Sequence, residues 1–198
     1  MGDWLSYSLS DFLLFSPRAY WRMFELHNAA LWPLPLATFA AGLAALALVL
    51  FRPRHHARWI AVILAILWAW VAWSFFWQRY AAINWAAAYI APLFALQAAL
   101  LLAIGTWRDR LSFDRRGAAG IAGLALIVFA TLVYPLLAPA FGRPLAGAEI
   151  FGTAPDPTAI GTLGFLLLAR GRRAFALLSI PLLWCIASGI TLWAMHNA

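Results

Sequence analysis

The sequence predicts an all-α membrane protein: a six-transmembrane-helix bundle, with an interfacial amphipathic helix at the N-terminus and a broken or re-entrant element before helix five. Three observations predict this. Hydrophobic residues make up 65% of the 198 positions and charged residues 11%, with a mean hydropathy of +0.83. Soluble domains are about 45–50% apolar and about 25% charged. Apolar runs long enough to cross about 30 Å of hydrocarbon recur along the chain. The bases, all 14 of them Arg, sit between those runs. The same figures exclude a free soluble domain, a disordered chain and a nucleic-acid module. A net charge of +7 fits an acidic membrane surface instead. A single Cys excludes a disulfide framework within the chain.

The chain divides into an interfacial segment, 1–27, and one transmembrane domain, 28–198. Residues 1–15 lack a basic start and carry Asp3 and Asp11, so no cleavable signal is expected. Ser16 and Pro17 offer an N-cap followed by a favoured first-turn proline. Tyr20, Trp21, Phe24 and Leu26 then alternate with Arg18, Arg22 and Glu25, a mix that suits a helix lying in the interface. Span one is 28–51, with Pro33 and Pro35 in its opening turns. Spans two, three and four are 59–77, 84–107 and 117–140. Span five is 157–168 and span six 174–196.

Span five is short. A helix starting before Pro157 would break its own hydrogen-bond ladder. From Pro157 to Leu168 the rise is about 18 Å, well under the thickness of the hydrocarbon. Either the arginines beyond it continue the helix and snorkel, or it starts below the surface after a dip at 145–153. In the second case Pro155-Asp156-Pro157 is a break at membrane depth. Asp156 would cap the helix start and Glu149 would share its cavity. The plainer alternative is a proline-rich surface loop with a capping Asp.

Ten Arg fall in one set of alternating connections and four in the other. The positive-inside rule places the ten in the cytoplasm and both termini outside. Five of the seven acids fall on the outer side. There Glu25, His27 and Asn28 stand at the mouth of span one, and Trp21, Glu25 and Asn28 share a helical face. Asn84 sits in the outer turn between spans two and three, with Arg79, Tyr80, Trp85 and Tyr89. The Glu25, His27 and Asn28 group suits cation binding or proton relay, or simply a hydrated aromatic belt, and the amides would orient a solute.

Gln97, deep in span three, reads as packing glue between helices. His27 and His196 both map outward and are the candidate metal ligands. No HxxxH, HExxH or paired-Cys pattern supports them, so the cofactor stays unknown. Trp70, Trp73 and Trp77 share a face of span two, as a cation cage or a lipid belt. Cys185 reads as a small core residue. No Ser-His-acid set, phosphate loop or GxSxG occurs, which leans away from an enzyme.

The leading functional expectation is a small channel or transporter for an ion or small polar solute. Glu149 and Asp156 are its first candidates, then Glu25, His27, Asn28 and Asn84. The alternatives are an accessory or assembly subunit without chemistry of its own, and a metal-binding membrane enzyme or sensor. Expected partners are the lipid bilayer, the solute, and a second copy or a larger membrane complex; nucleic acid is not among them.

Three stretches are distinctive: LSDFLLFSPRAYWRMFELHNAALWP, RYAAINWAAAYIAPLFALQA and EIFGTAPDPTAIGTLG. Through them nearly the whole chain resembles an uncharacterised family of bacterial multi-pass membrane proteins, a domain of unknown function. The resemblance implies a bacterial inner-membrane location and carries no activity or site residues.

Overall fold

The computed structural model describes residues 15–106, 112–113, 116–170 and 174–196. Most of the expected interfacial segment, 1–14, and much of the arginine-bearing connections lie outside the described residues.

Helix α1, Pro17–Leu31, starts as the sequence predicts: the Ser16 hydroxyl accepts the Ala19 amide at 3.2 Å and Pro17 opens the first turn. Its buried face is Tyr20, Met23, Phe24 and His27. The chain then breaks at the cis Trp32–Pro33 bond, and α2 runs Leu34–Phe51. The expected first span is therefore corrected. Asn28 to Leu31 belong to α1, because Pro33 cannot donate to a continuous ladder.

Helix α3, His56–Trp70, continues through a π-helical segment, Val71–Trp77, to a 3-10 turn, Tyr80–Ala82. Within it the Ser74 hydroxyl donates to the Trp70 carbonyl at 2.8 Å. Helix α4 is Ala87–Thr106, and strand β1 is Ser112–Phe113. Helix α5, Gly117–Val128, also widens into π geometry over Phe129–Val133, then tightens at Tyr134–Leu136 before α6, Leu137–Ala140. Pro135 explains that switch: it has no N–H for the carbonyl one turn earlier, so the ladder changes spacing just before it. A 3-10 turn, Leu145–Gly147, leads to helix α7, Pro155–Leu168. Strand β2, Ala169–Arg170, pairs antiparallel with β1, and α8 is Ala174–His196.

Among the described residues five helices are long and apolar enough to cross a membrane: Leu34–Phe51, His56–Ala82, Ala87–Thr106, Gly117–Ala140 and Phe175–His196. The expected fifth span, α7, is not one of them. It starts at Pro155, two residues earlier than expected. Both prolines fall in the first turn, where amides have no helical partner, so neither breaks the ladder.

At one end of the bundle the turn that carries Arg52, Arg54 and Arg58 meets the paired strands β1 and β2. The Arg58 guanidinium donates to the Thr106 carbonyl at 3.1 Å, the His56 ring lies 6.2 Å from that of Phe113, and β1 joins β2 there. From this arginine end α7 points inward, enclosed by its neighbours. Eleven of its 14 residues are buried. Gly123 and Gly164 let α5 and α7 approach backbone to backbone: a Cβ on either would lie 2.7 Å from the other's carbonyl oxygen. Trp68 of α3 packs at a tilt against Phe94, ring centroids 4.4 Å apart, and donates its indole N–H to Thr162 at 2.8 Å. Gln97 gives its side-chain N–H to the Leu177 carbonyl of α8 at 3.0 Å, which joins two helices as expected.

Candidate solute vestibule

The site begins with an irregular stretch of backbone. Phe151 lies against Gly42 of α2 and Gly161 of α7, and a Cβ at either glycine would collide with its ring. Gly152, with φ +84°, faces Thr38 of α2 and Leu67 of α3; a Cβ there would sit 2.6 Å from Leu67. Both the dihedral and the close approach require glycine. The segment thus threads among residues well inside α2 and α3. Its backbone groups are met locally: the amides of Thr153 and Ala154 donate to the Ile150 carbonyl at 3.0 and 2.9 Å. The Gly152 amide donates to the Thr158 hydroxyl at 2.8 Å, and that hydroxyl donates to the Ala154 carbonyl at 2.6 Å.

Asp156 does not cap α7, contrary to expectation. Ala154 holds the N-cap position with no side-chain bond. Pro155 and Pro157 remove two of the amides that a cap would serve. The Asp156 carboxylate, 4% exposed, turns sideways instead. It accepts the Trp184 indole N–H at 2.7 Å, the Ser188 hydroxyl at 2.8 Å and the Tyr134 hydroxyl at 3.3 Å. Three donors to one carboxylate are a large compensation for its burial.

Glu149, 5% exposed, lies beside this cluster. Both terminal nitrogens of Arg143 stand 3.4 Å from one of its oxygens. The same guanidinium lies 3.6 Å over the Trp21 ring. Burial, helped by the nearby Asp156, raises the Glu149 carboxyl to about 8, against the opposing pull of Arg143. These residues line a cavity of about 520 Å³, with Tyr134, Phe141 and His196 among its other walls. A second cavity, about 200 Å³, is lined by Asp156, Ser188 and Cys185. The two adjoin, because Tyr134 and Leu192 line both.

The remaining candidates have other surroundings. Trp21, Glu25 and Asn28 do share a face, and it docks on the 143–148 loop. Asn28 donates to the carbonyls of Ala146 and Ala148, both at 2.8 Å. Glu25 pairs with Arg22 and packs beside Gly147; it lines neither cavity. His27 is buried edge-on to Phe75 at 5.5 Å, with a backbone hydrogen bond to Thr153. Burial, and then Arg79, lower its pKa to about 4. Asn84 accepts the Ala86 amide at 3.0 Å and shapes the turn into α4. His196 lines the larger cavity. Among the described residues no three His, Cys, Asp or Glu side chains gather as a metal centre requires.

Sequence reasoning passed over Arg143, Tyr134, Trp184 and Ser188. The last two carried a usable signal, polar atoms one turn apart in the middle of a mostly apolar helix.

The comparisons with known proteins are spare. Neither a curated protein nor a solved structure matches the chain. The family of unknown function DUF6064 matches residues 17–196. With five long apolar helices inside that match, the chain is an integral, multi-pass member of DUF6064.

Proposed function

We propose that the protein is a small membrane transporter that admits an ion or small polar solute from the vestibule toward Asp156. In this reading α7 and the five long helices form a six-helix bundle. The 141–154 connection re-enters from the vestibule side and meets α7 below the surface, and α1 lies at the interface. The arginine end faces the cytoplasm of a bacterial cell, by the positive-inside rule.

One observation carries the reading: the irregular backbone at 150–154 packs against residues well inside α2 and α3. Within a bilayer such backbone is tolerated only inside protein or beside a water-filled cavity. Interrupted helices with an ionisable group at the break are a recurring way to build solute sites in transporters. Burial raises the Glu149 carboxyl above the ordinary carboxylate range, which suits a group that takes up and releases a proton during transport.

The test is flux in liposomes holding the purified protein and a pH-sensitive dye, driven by potassium or ammonium gradients. Flux above protein-free vesicles, reduced to near that level by Asp156→Asn, is the expected result. Flux equal to that of empty vesicles under every gradient overturns the reading.

A separate observation favours an accessory role. An apolar groove of about 340 Å³, flanked by exposed Trp73 and Trp77 and floored by Ala91 and Pro92, opens between α3 and α4. It has the size and chemistry to seat part of a partner's helix. Co-purification of a larger membrane complex, lost on Ala91→Phe, is the outcome that reading requires.

A further inference from the structure

The vestibule already holds a cation, and that cation belongs to the chain. The Arg143 guanidinium is held by two contacts of unequal quality. At 3.6 Å it lies close over the Trp21 ring, well inside the reach of a cation–π interaction. Its pairing with Glu149 is looser, 3.4 Å from each terminal nitrogen, where a tight charged pair closes to about 2.7–2.9 Å. Arg143 arrives on a turn just beyond α6, after Gly142 at φ +72°, and its amide donates to the Ala138 carbonyl at 2.8 Å. The other walls include the rings of Tyr134 and Phe141. A volume of about 520 Å³ is within the range of small-molecule sites.

Aromatic faces around one buried carboxylate recognise an organic cation. With Glu149 ionised, an anion gains little there, since the guanidinium that would attract it is then matched with that carboxylate. We infer that the vestibule binds a small organic cation, an amine or guanidinium compound, which displaces Arg143 from Trp21 and Glu149. This rests on the transporter reading and names its solute class. Arg143 then works as a tethered competitor. It neutralises Glu149 and covers the ring while the site is empty, and it gives way when a free cation takes the same two contacts.

Calorimetric titration of the purified, full-length protein in detergent at pH 9, where Glu149 is ionised and the probes stay cationic, tests this. The probes are n-butylguanidinium and n-butylammonium chloride, with sodium butyrate as the anion. Both cations are expected to bind and butyrate is not. Arg143→Gln should tighten cation binding about tenfold if the tethered guanidinium fills the site about nine-tenths of the time. Glu149→Gln should abolish binding and Trp21→Leu should weaken it. Unchanged or weaker cation binding in folded Arg143→Gln overturns the inference, as does butyrate binding more tightly than the cations. Should Arg143→Gln fail to fold, the wild-type preference for cations and its loss in Glu149→Gln decide. If the cations do not bind but Asp156-dependent flux is present, the solute class falls and the transporter reading stands. If they bind and no gradient drives flux, the reverse holds.

Discussion

Pro181 has no N–H to give the Leu177 carbonyl one turn earlier in α8, and Gln97 supplies a donor from α4. Gln97→Leu should therefore cost about 1–2 kcal/mol in thermal unfolding. Pro181→Ala in the same background should recover part of it, because the carbonyl regains a helical donor. A Gln97→Leu protein as stable as wild type would contradict this. Gln97 was legible as glue because it is the one amide deep in a span. The partners of Asp156 were not, since Trp184 and Ser188 lie 28 and 32 residues further on and apolar patterning gives α8 no obvious inner face. Glu149 makes a pH prediction. Its carboxyl sits at about 8 in the fold against 4.5 for a free one. Between those values the native state keeps a proton that the unfolded chain has lost, so stability falls as pH rises. His27, lowered from 6.5 to about 4, acts oppositely, its contribution being lost as pH falls below 6.5. Above pH 6.5 the His27 contribution is complete, and the decline that the raised Glu149 carboxyl sets remains. The melting temperature should fall from there to about pH 8, and Glu149→Gln should flatten that decline.

At the scale of elements, α7 is the keystone, and small residues let it sit where it does. Gly164→Ala would put a methyl 2.7 Å from the Gly123 carbonyl oxygen and 2.8 Å from the Ile127 side chain. Backbone cannot yield as a flexible side chain can, so the cost should be about 1–3 kcal/mol. Gly189→Ala, with open space around it, should be close to neutral by the same measurement. Equal losses at the two sites would refute the packing account. Element boundaries were legible where apolar runs end in charge or glycine, as at Gly117 and Ala174. They were not legible at 28–34, where hydrophobicity runs unbroken across the Trp32–Pro33 break. The start of α7 was misplaced because proline was treated as a stop, although the first turn accepts it.

For the molecule as a whole, composition and arginine placement were enough to give a multi-pass helical bundle. The candidate site was half legible. Pro-Asp-Pro marked the start of a short helix, and Glu149 does lie beside Asp156. Glu25, His27, Asn28 and Asn84 shared only a side of the molecule with them. Which side-chain faces meet depends on how helices rotate, and an apolar sequence in lipid leaves that rotation almost unmarked. The central claim is that water and solute reach the start of α7 from the vestibule. The sole Cys of the chain, Cys185, lines the cavity that holds Asp156, so the native protein carries its own probe. In sealed vesicles of known orientation, a membrane-impermeant, cationic methanethiosulfonate reagent should modify Cys185 from the vestibule side and not from the arginine end. Failure to react from either side, with full reaction after unfolding, would contradict the account.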